Sequence, residues 1–338
     1  MPRHNPFALP AAGRRESIPK SPEDVNRKKV LFMNKKARNR MQRKENLVGY
    51  AFVSPALICY LLMIAFPFFL TLILSFTEFN FLKVKDLAKL GKYIDWVGFE
   101  NFVDAFKDRR FVASIENTFV YAITTVPVSI VLGISLAYAL NGKVFMKKVL
   151  RLAFFIPYIS SIVALGAVFK FLFREDGLVN NFLTNMGWIT EPLKWTVEPS
   201  LSKFPIALLV IWTSLGYVLI IYMAALQNVP RTLYEAATID GANGFQQFMK
   251  VTVPMVSPTT FYLVIVRMIA IFKIFGSVNV FTMGSSITSN TSIVQEIYDT
   301  AFKSYQHGFA SAQSVVLLVI ILIFTGINFA GQKKWVHY

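Results

Sequence analysis

The residues whose types and spacing can do chemistry in this chain are few, and what they suit is recognition. Glu235-Ala236-Ala237, followed by Asp240-Gly241-Ala242, places two carboxylates either side of small side chains. Leu233, Ala236, Ala237 and Asp240 fall on one face of a helix, and the two adjacent alanines let another backbone come close, as a docking surface requires. A second set puts rings beside hydroxyl and amide groups inside apolar stretches: Tyr158, Ser160 and Ser161; Trp212, Ser214, Gly216 and Tyr217; and Asn279. Ring faces with neutral donors and acceptors suit a polyhydroxyl ligand. Three cations, Lys170, Arg267 and Lys273, also fall in apolar stretches, where an ionisable group is costly and so a functional candidate. Lys170 and Arg267 read as span-end residues whose stems carry the charge to the interface. Lys273 reads as lining a cavity or pairing helices. No acid lies deep in an apolar stretch, which favours a neutral ligand over a charged one.

Bond-making chemistry finds no support. A single cysteine, Cys59, excludes an internal disulfide framework and any multi-cysteine metal site. The three histidines (His4, His307, His337) lie far apart, so no metal site is expected. There is no G-x-x-x-x-G-K-[ST] phosphate loop and no G-x-G-x-x-G after a strand pattern. Uphill movement of a solute would therefore draw its energy from a partner or an ion gradient.

The elements that must position these residues are membrane helices. Of 338 residues, 54% are apolar and only 16% charged, where soluble proteins carry about 25% charge. Six stretches reach or approach the roughly 20 apolar residues a crossing needs: 50–76, 117–140, 150–173, 205–226, 259–281 and 312–330. Prolines at Pro55, Pro67, Pro127, Pro157 and Pro205 predict bends, with an unwound turn after Pro157. Lys and Arg set the orientation. Thirteen lie in the first 49 residues, and the alternate loops and the C-terminal tail raise that side to twenty-one, against eleven on the other. Both termini are thus expected in the cytoplasm. The net charge of +16 belongs to that side, and the basic residues 1–46 read as a cytoplasmic extension attracted to anionic lipid rather than to nucleic acid. No cleavable leader is visible, so the first span serves as the insertion signal.

The polar segment 228–256 between the fourth and fifth stretches carries its own punctuation. Pro230 suits a first helical turn and Gly241 a helix terminus. Asn243-Gly244 starts a second short helix with Phe245, Phe248 and Met249 as an apolar stripe, and Pro254 ends it before the fifth span.

Glu235-Ala-Ala-x-x-Asp-Gly-Ala242, with Pro254 following at the right distance, resembles the "EAA" coupling loop of ABC importer permeases, in the form of the carbohydrate-importing, maltose-transporter-like branch. Asn117-Thr118-Phe119, Arg151 through Pro157-Tyr158, Gly177 with Asn180-Asn181, Trp212 through Gly216-Tyr217, and Gly308 to Ala312 are similar to further stretches of that family. Thr282-Met-Gly-Ser-Ser286 departs from its usual T-x-GGP. The resemblance covers residues 47–335 and implies an all-α, six-span permease domain that binds no cofactor itself. It implies a second permease, two cytoplasmic ATPase subunits carrying ATP and Mg, and an extracellular solute-binding protein delivering a sugar, all at a bacterial plasma membrane. Leu233, Glu235, Ala236, Ala237, Asp240, Gly241, Ala242 and Pro254 would then couple the permease to the ATPase, with Glu235 as anchor and Gly241 as a turn where bulk clashes. Tyr158, Ser160, Ser161, Trp212, Ser214, Gly216, Tyr217, Lys273 and Asn279 are the pathway candidates. A permease for a non-sugar solute, or a secondary transporter, is the competing reading.

Overall fold

The computed structural model describes residues 41–42, 44–84, 94–142, 144–282 and 289–335. The basic extension up to residue 40, and Met283 to Ser286 of the departing segment, lie outside the described residues. The chain divides after Phe68 into two units. The first is the N-terminal part of helix α1 (Lys44–Leu74), whose apolar window contains no buried residue. A π turn at Leu61–Ala65 interrupts α1 just before Pro67, where a missing N–H unsettles the ladder.

The second unit holds the helical core. It opens with an antiparallel pair, β1 (Thr77–Phe79) against β2 (Ile94–Trp96), in the register Thr77 with Trp96 and Phe79 with Ile94. This hairpin departs from the all-helical expectation. Asn101 on α2 (Glu100–Lys107) fixes it by donating from Nδ2 to the Ser75 and Thr77 carbonyls at 3.0 and 2.9 Å. Helix α3 (Arg109–Asn141) starts at Asp108, whose carboxylate accepts from the amides of Arg110 and Phe111 and so satisfies two of the helix's unpaired donors. The helix continues through Pro127.

Helix α4 (Lys147–Ile159) likewise runs through Pro157 and stops two residues later, and α5 (Ile162–Leu172) leaves it at 97°. The break belongs to Ser160 and Ser161 rather than to the proline. Ser160 Oγ donates to the Ile156 carbonyl at 2.7 Å, and Ser161 caps the first turn of α5. Helix α6 (Leu178–Asn185) presents Asn180, whose amide bonds the Arg174, Glu175 and Leu193 carbonyls, the Leu193 amide and Trp195 Nε1. This buried asparagine folds the connection into α7 (Lys203–Gln227).

After α7 come α8 (Arg231–Ile239) and α9 (Gly244–Gln247), then a π turn Phe248–Thr252 and a helical turn Val253–Met255. Pro254 lies inside that last turn, which ends at Val256, so the chain stays helical past the proline expected to stop it. Helix α10 (Ser257–Phe272) breaks at Lys273 and resumes as α11 (Gly276–Thr282). Helix α12 (Ile293–Tyr298) and a π turn, Asp299–Lys303, lead into α13 (His307–Trp335). Among the described residues five helices are long and apolar enough to cross a membrane, six if the bent α4–α5 pair is one crossing.

The core is the seam where α3, α7 and α10 pack around Tyr121, Ile134, Val218, Leu219, Tyr222 and Leu263. Outside it, α3 holds the segment before α12. Asn117 Nδ2 donates to the Thr291 carbonyl at 3.0 Å, Tyr121 hydroxyl to the Asn290 carbonyl at 2.8 Å, and the Ile293 amide to Thr118 Oγ1 at 3.0 Å. Buried, these bonds satisfy backbone groups that water cannot reach.

Candidate functional site

The segment 228–256 folds into two short helices around a turn built on Gly241. The Gly241 amide donates to the Thr238 carbonyl and the Ala242 amide to the Ala237 carbonyl, at 3.0 and 2.9 Å, with Gly241 at φ +78°. That pair of bonds is a Schellman terminus, which closes the last carbonyls of α8 and needs a left-handed residue. None of the described residues lies within 4 Å of the place a Cβ would occupy, so the requirement for glycine is conformational, and the expected clash is not found among them. Asn243 and Gln246 form a reciprocal capping box at the start of α9.

Side chains then tie the loop together and to the core. Gln247 Nε2 donates to Thr238 Oγ1 at 3.0 Å, and Tyr234 and Thr252 share a hydroxyl–hydroxyl bond of 2.9 Å. Tyr138, near the end of α3, donates to the Gly244 carbonyl at 3.1 Å, and its ring lies 5.1 Å from that of Phe248. The outward face is left to Leu233, Glu235, Ala236, Ile239, Asp240 and Phe245, all exposed, with Ile239 87% accessible. Ala237 and Ala242 are half-buried. Glu235 makes no hydrogen bond or ion pair with the described residues, so among them nothing anchors it.

Of the pathway candidates, the structure brings Tyr158 and Tyr217 together, stacked at 5.5 Å and 28°. Tyr217 hydroxyl meets that of Tyr262 on α10 at 3.1 Å. Arg267, on the same helix, sits within electrostatic reach of Tyr158 and Tyr217. Trp212 stacks on Phe169 of α5 at 5.6 Å. Gly216 marks where α4 crosses α7: a Cβ there would stand 2.6 Å from the Phe154 carbonyl oxygen and 2.9 Å from Phe155 Cα. Ser214 is buried and bonded within its own helix, and Ser160 and Ser161 serve the α4–α5 break. Lys273 is exposed at the α10–α11 break and Asn279 half-buried beyond it.

Lys170 is not a free span-end cation, since its Nζ donates to the Val280 carbonyl at 3.1 Å and joins α5 to α11. Arg267 also departs from the span-end reading: it stands inside α10 with its Nε buried. Tyr262 is the cluster member the sequence did not single out, and Arg267 is the one it named but placed at a span end. The available signal was a cation ten residues into a 26-residue apolar helix.

The family described as "Binding-protein-dependent transport system inner membrane component" matches residues 129–335. The chain belongs to that family. It is 32% identical over 305 residues to the probable ABC transporter permease protein YesP of Bacillus subtilis, covering 89% of this chain and 95% of that one. It is 31% identical over 304 residues to the lactose transport system permease protein LacF of Rhizobium radiobacter, covering 88% and 99%. Its fold matches a chain of a bacterial ABC transporter involved in the import of the acidic polysaccharide alginate, with a TM-score of 0.71 at 24% identity, over 87% and 99% of the two chains. This binding-protein-dependent permease is therefore a helical, multi-pass membrane component of an ABC transport system.

Proposed function

We propose that this permease is one of two translocation subunits of an ATP-driven importer for a saccharide in a bacterial plasma membrane. It crosses six times, with α4–α5 as one broken crossing and both termini in the cytoplasm. The loop 228–256 then faces the ATPase subunits, and the exposed face of Leu233, Glu235, Ala236 and Asp240 seats on them, with Ala237, Gly241, Ala242 and Pro254 shaping the loop behind it. The chain itself hydrolyses nothing; ATP and Mg belong to two ATPase partners, and a solute-binding protein delivers the sugar from outside. Closure of the ATPase pair would push α8 as a rigid body and turn the cavity outward.

The observation that carries this reading is the loop itself: a Schellman-terminated helix, bonded to α3 through Tyr138 and packed on the core through Tyr234, whose outward face none of the described residues covers. The sugar class is supported by likeness to the lactose permease and by the stacked tyrosines. The experiment is mild-detergent purification from native membranes, with co-purifying chains identified by mass spectrometry. An ATPase bearing a phosphate loop plus a second permease is the expected result. A lone chain or homo-oligomer, with no ATPase crosslinked from a cysteine at position 237, would overturn the reading.

A further inference from the structure

Arg267 lies about 15 Å along the axis of α10 from Ser257, with fifteen residues of the same apolar span still to follow. A guanidinium at that depth is costly unless it meets a counter-charge or a polar cavity. Among the described residues no carboxylate comes within 4 Å of it, and its buried Nε has no hydrogen-bond partner. Within its electrostatic reach are the neutral rings of Tyr158 and Tyr217, stacked on each other at 5.5 Å, and Tyr217 is joined to Tyr262 through their hydroxyls. Tyr217 packs against the seam, while Tyr158 and Tyr262 are each about half exposed on this chain's surface. A stacked aromatic surface beside one uncompensated fork of donors lacks a planar oxyanion carried on a ring, which a guanidinium binds through two parallel hydrogen bonds.

We propose that Arg267 reads a carboxylate on the transported saccharide, so that the substrate of this permease is an acidic, uronate-bearing oligosaccharide lying against Tyr158, Tyr217 and Tyr262. The assignment rests on the importer reading and names the class of substrate within it. It also replaces the neutral ligand that the scarcity of intramembrane acids suggested: the anion is absent from the protein because the cargo supplies it.

The test uses the whole complex, this chain with its co-purified partners, in proteoliposomes supplied with ATP. The probes are galacturonate, glucuronate and mannuronate oligomers, each paired with its own carboxyl-reduced form. The wild-type complex should take up at least one acidic member in preference to its neutral twin. Arg267→Gln should raise KM for that acidic oligomer by about tenfold or more, as truncating one partner of a desolvated charge pair does, and by much less for the neutral twin, with assembly retained. Arg267→Lys should recover part of the loss, since it keeps the charge without the fork. Uptake of neutral members only, or of no acidic one, overturns the proposal, as does an Arg267→Gln permease with unaltered acid uptake. Failure of Arg267→Gln to join the second permease also overturns it, by assigning the guanidinium to a subunit contact. Absence of both the ATPase and any ATP-driven uptake would instead count against the importer reading itself.

Discussion

Gly241 holds φ +78° with open space around its missing side chain. A left-handed backbone costs an L-residue about 1–2 kcal/mol, and asparagine tolerates it better than most. Gly241→Val should therefore unravel the end of α8 and abolish ATP-coupled uptake while the protein still inserts, and Gly241→Asn should keep most of the uptake. Equal loss in both variants would move the requirement from backbone shape to the partner's surface. A second residue, Glu296, is buried on α12, with Arg110 3.5 Å away and no hydrogen bond to Oε2. Burial holds its carboxyl above the ordinary 4.5, and Asp108 and Asp299 push the same way, against Arg110 and Lys303. The native state then binds the proton more tightly than the unfolded one, so its contribution is present at low pH and lost as pH rises from about 4.5 through the raised value. Thermal unfolding of the solubilised complex should show Glu296→Gln flattening that decline. An unchanged pH profile would remove Glu296 from the account.

At the scale of elements, spans were legible because twenty-odd apolar residues admit few alternatives, and α1, α3, α7, α10–α11 and α13 overlap the expected stretches. The unwound turn expected after Pro157 is present at Ser160 and Ser161, whereas the break at Lys273 was not legible. Pro157 forfeits one amide, which an apolar helix absorbs, whereas Ser160 and Ser161 can end one helix and cap the next with their own hydroxyls. The β1–β2 pair escaped notice because three-residue strands carry too short an alternation to register. Within the site, the two-helix shape of segment 228–256 was readable from turn chemistry, apart from the stop expected at Pro254, while its coupling role rests on the resemblance. Arg267 was named but placed at a span end, since the burial of its Nε depends on which helices surround it. Gly216 shows the same limit: its type suggested a lining position, and its environment is a backbone crossing. Gly216→Ala would place a Cβ 2.6 Å from the Phe154 oxygen. The variant should lower the melting temperature of the complex and its yield in membranes, while a normal melt would show that α4 and α7 cross elsewhere.

For the whole molecule, α3 is the element that meets both ends. Tyr138 bonds the Gly244 carbonyl of the coupling loop, and Asn117, Thr118 and Tyr121 bond the segment 290–293 at the other side. Seventeen residues of one continuous helix, about 26 Å, separate Tyr121 from Tyr138, and twenty-one separate Asn117 from it. Tyr138→Phe removes the hydroxyl bond to the loop and leaves the ring beside Phe248. Expected is an ATPase that binds and hydrolyses at its usual rate but moves less sugar per ATP, measured as the ratio of uptake to phosphate release. An unchanged ratio would deny α3 that part. A helix hydrogen-bonded along its own axis is stiff in compression, so under the proposed importer reading α3 would work as a connecting rod. The stroke of a motor on one side of the bilayer would then reach the far opening at nearly its full length, without any change in the fold between them.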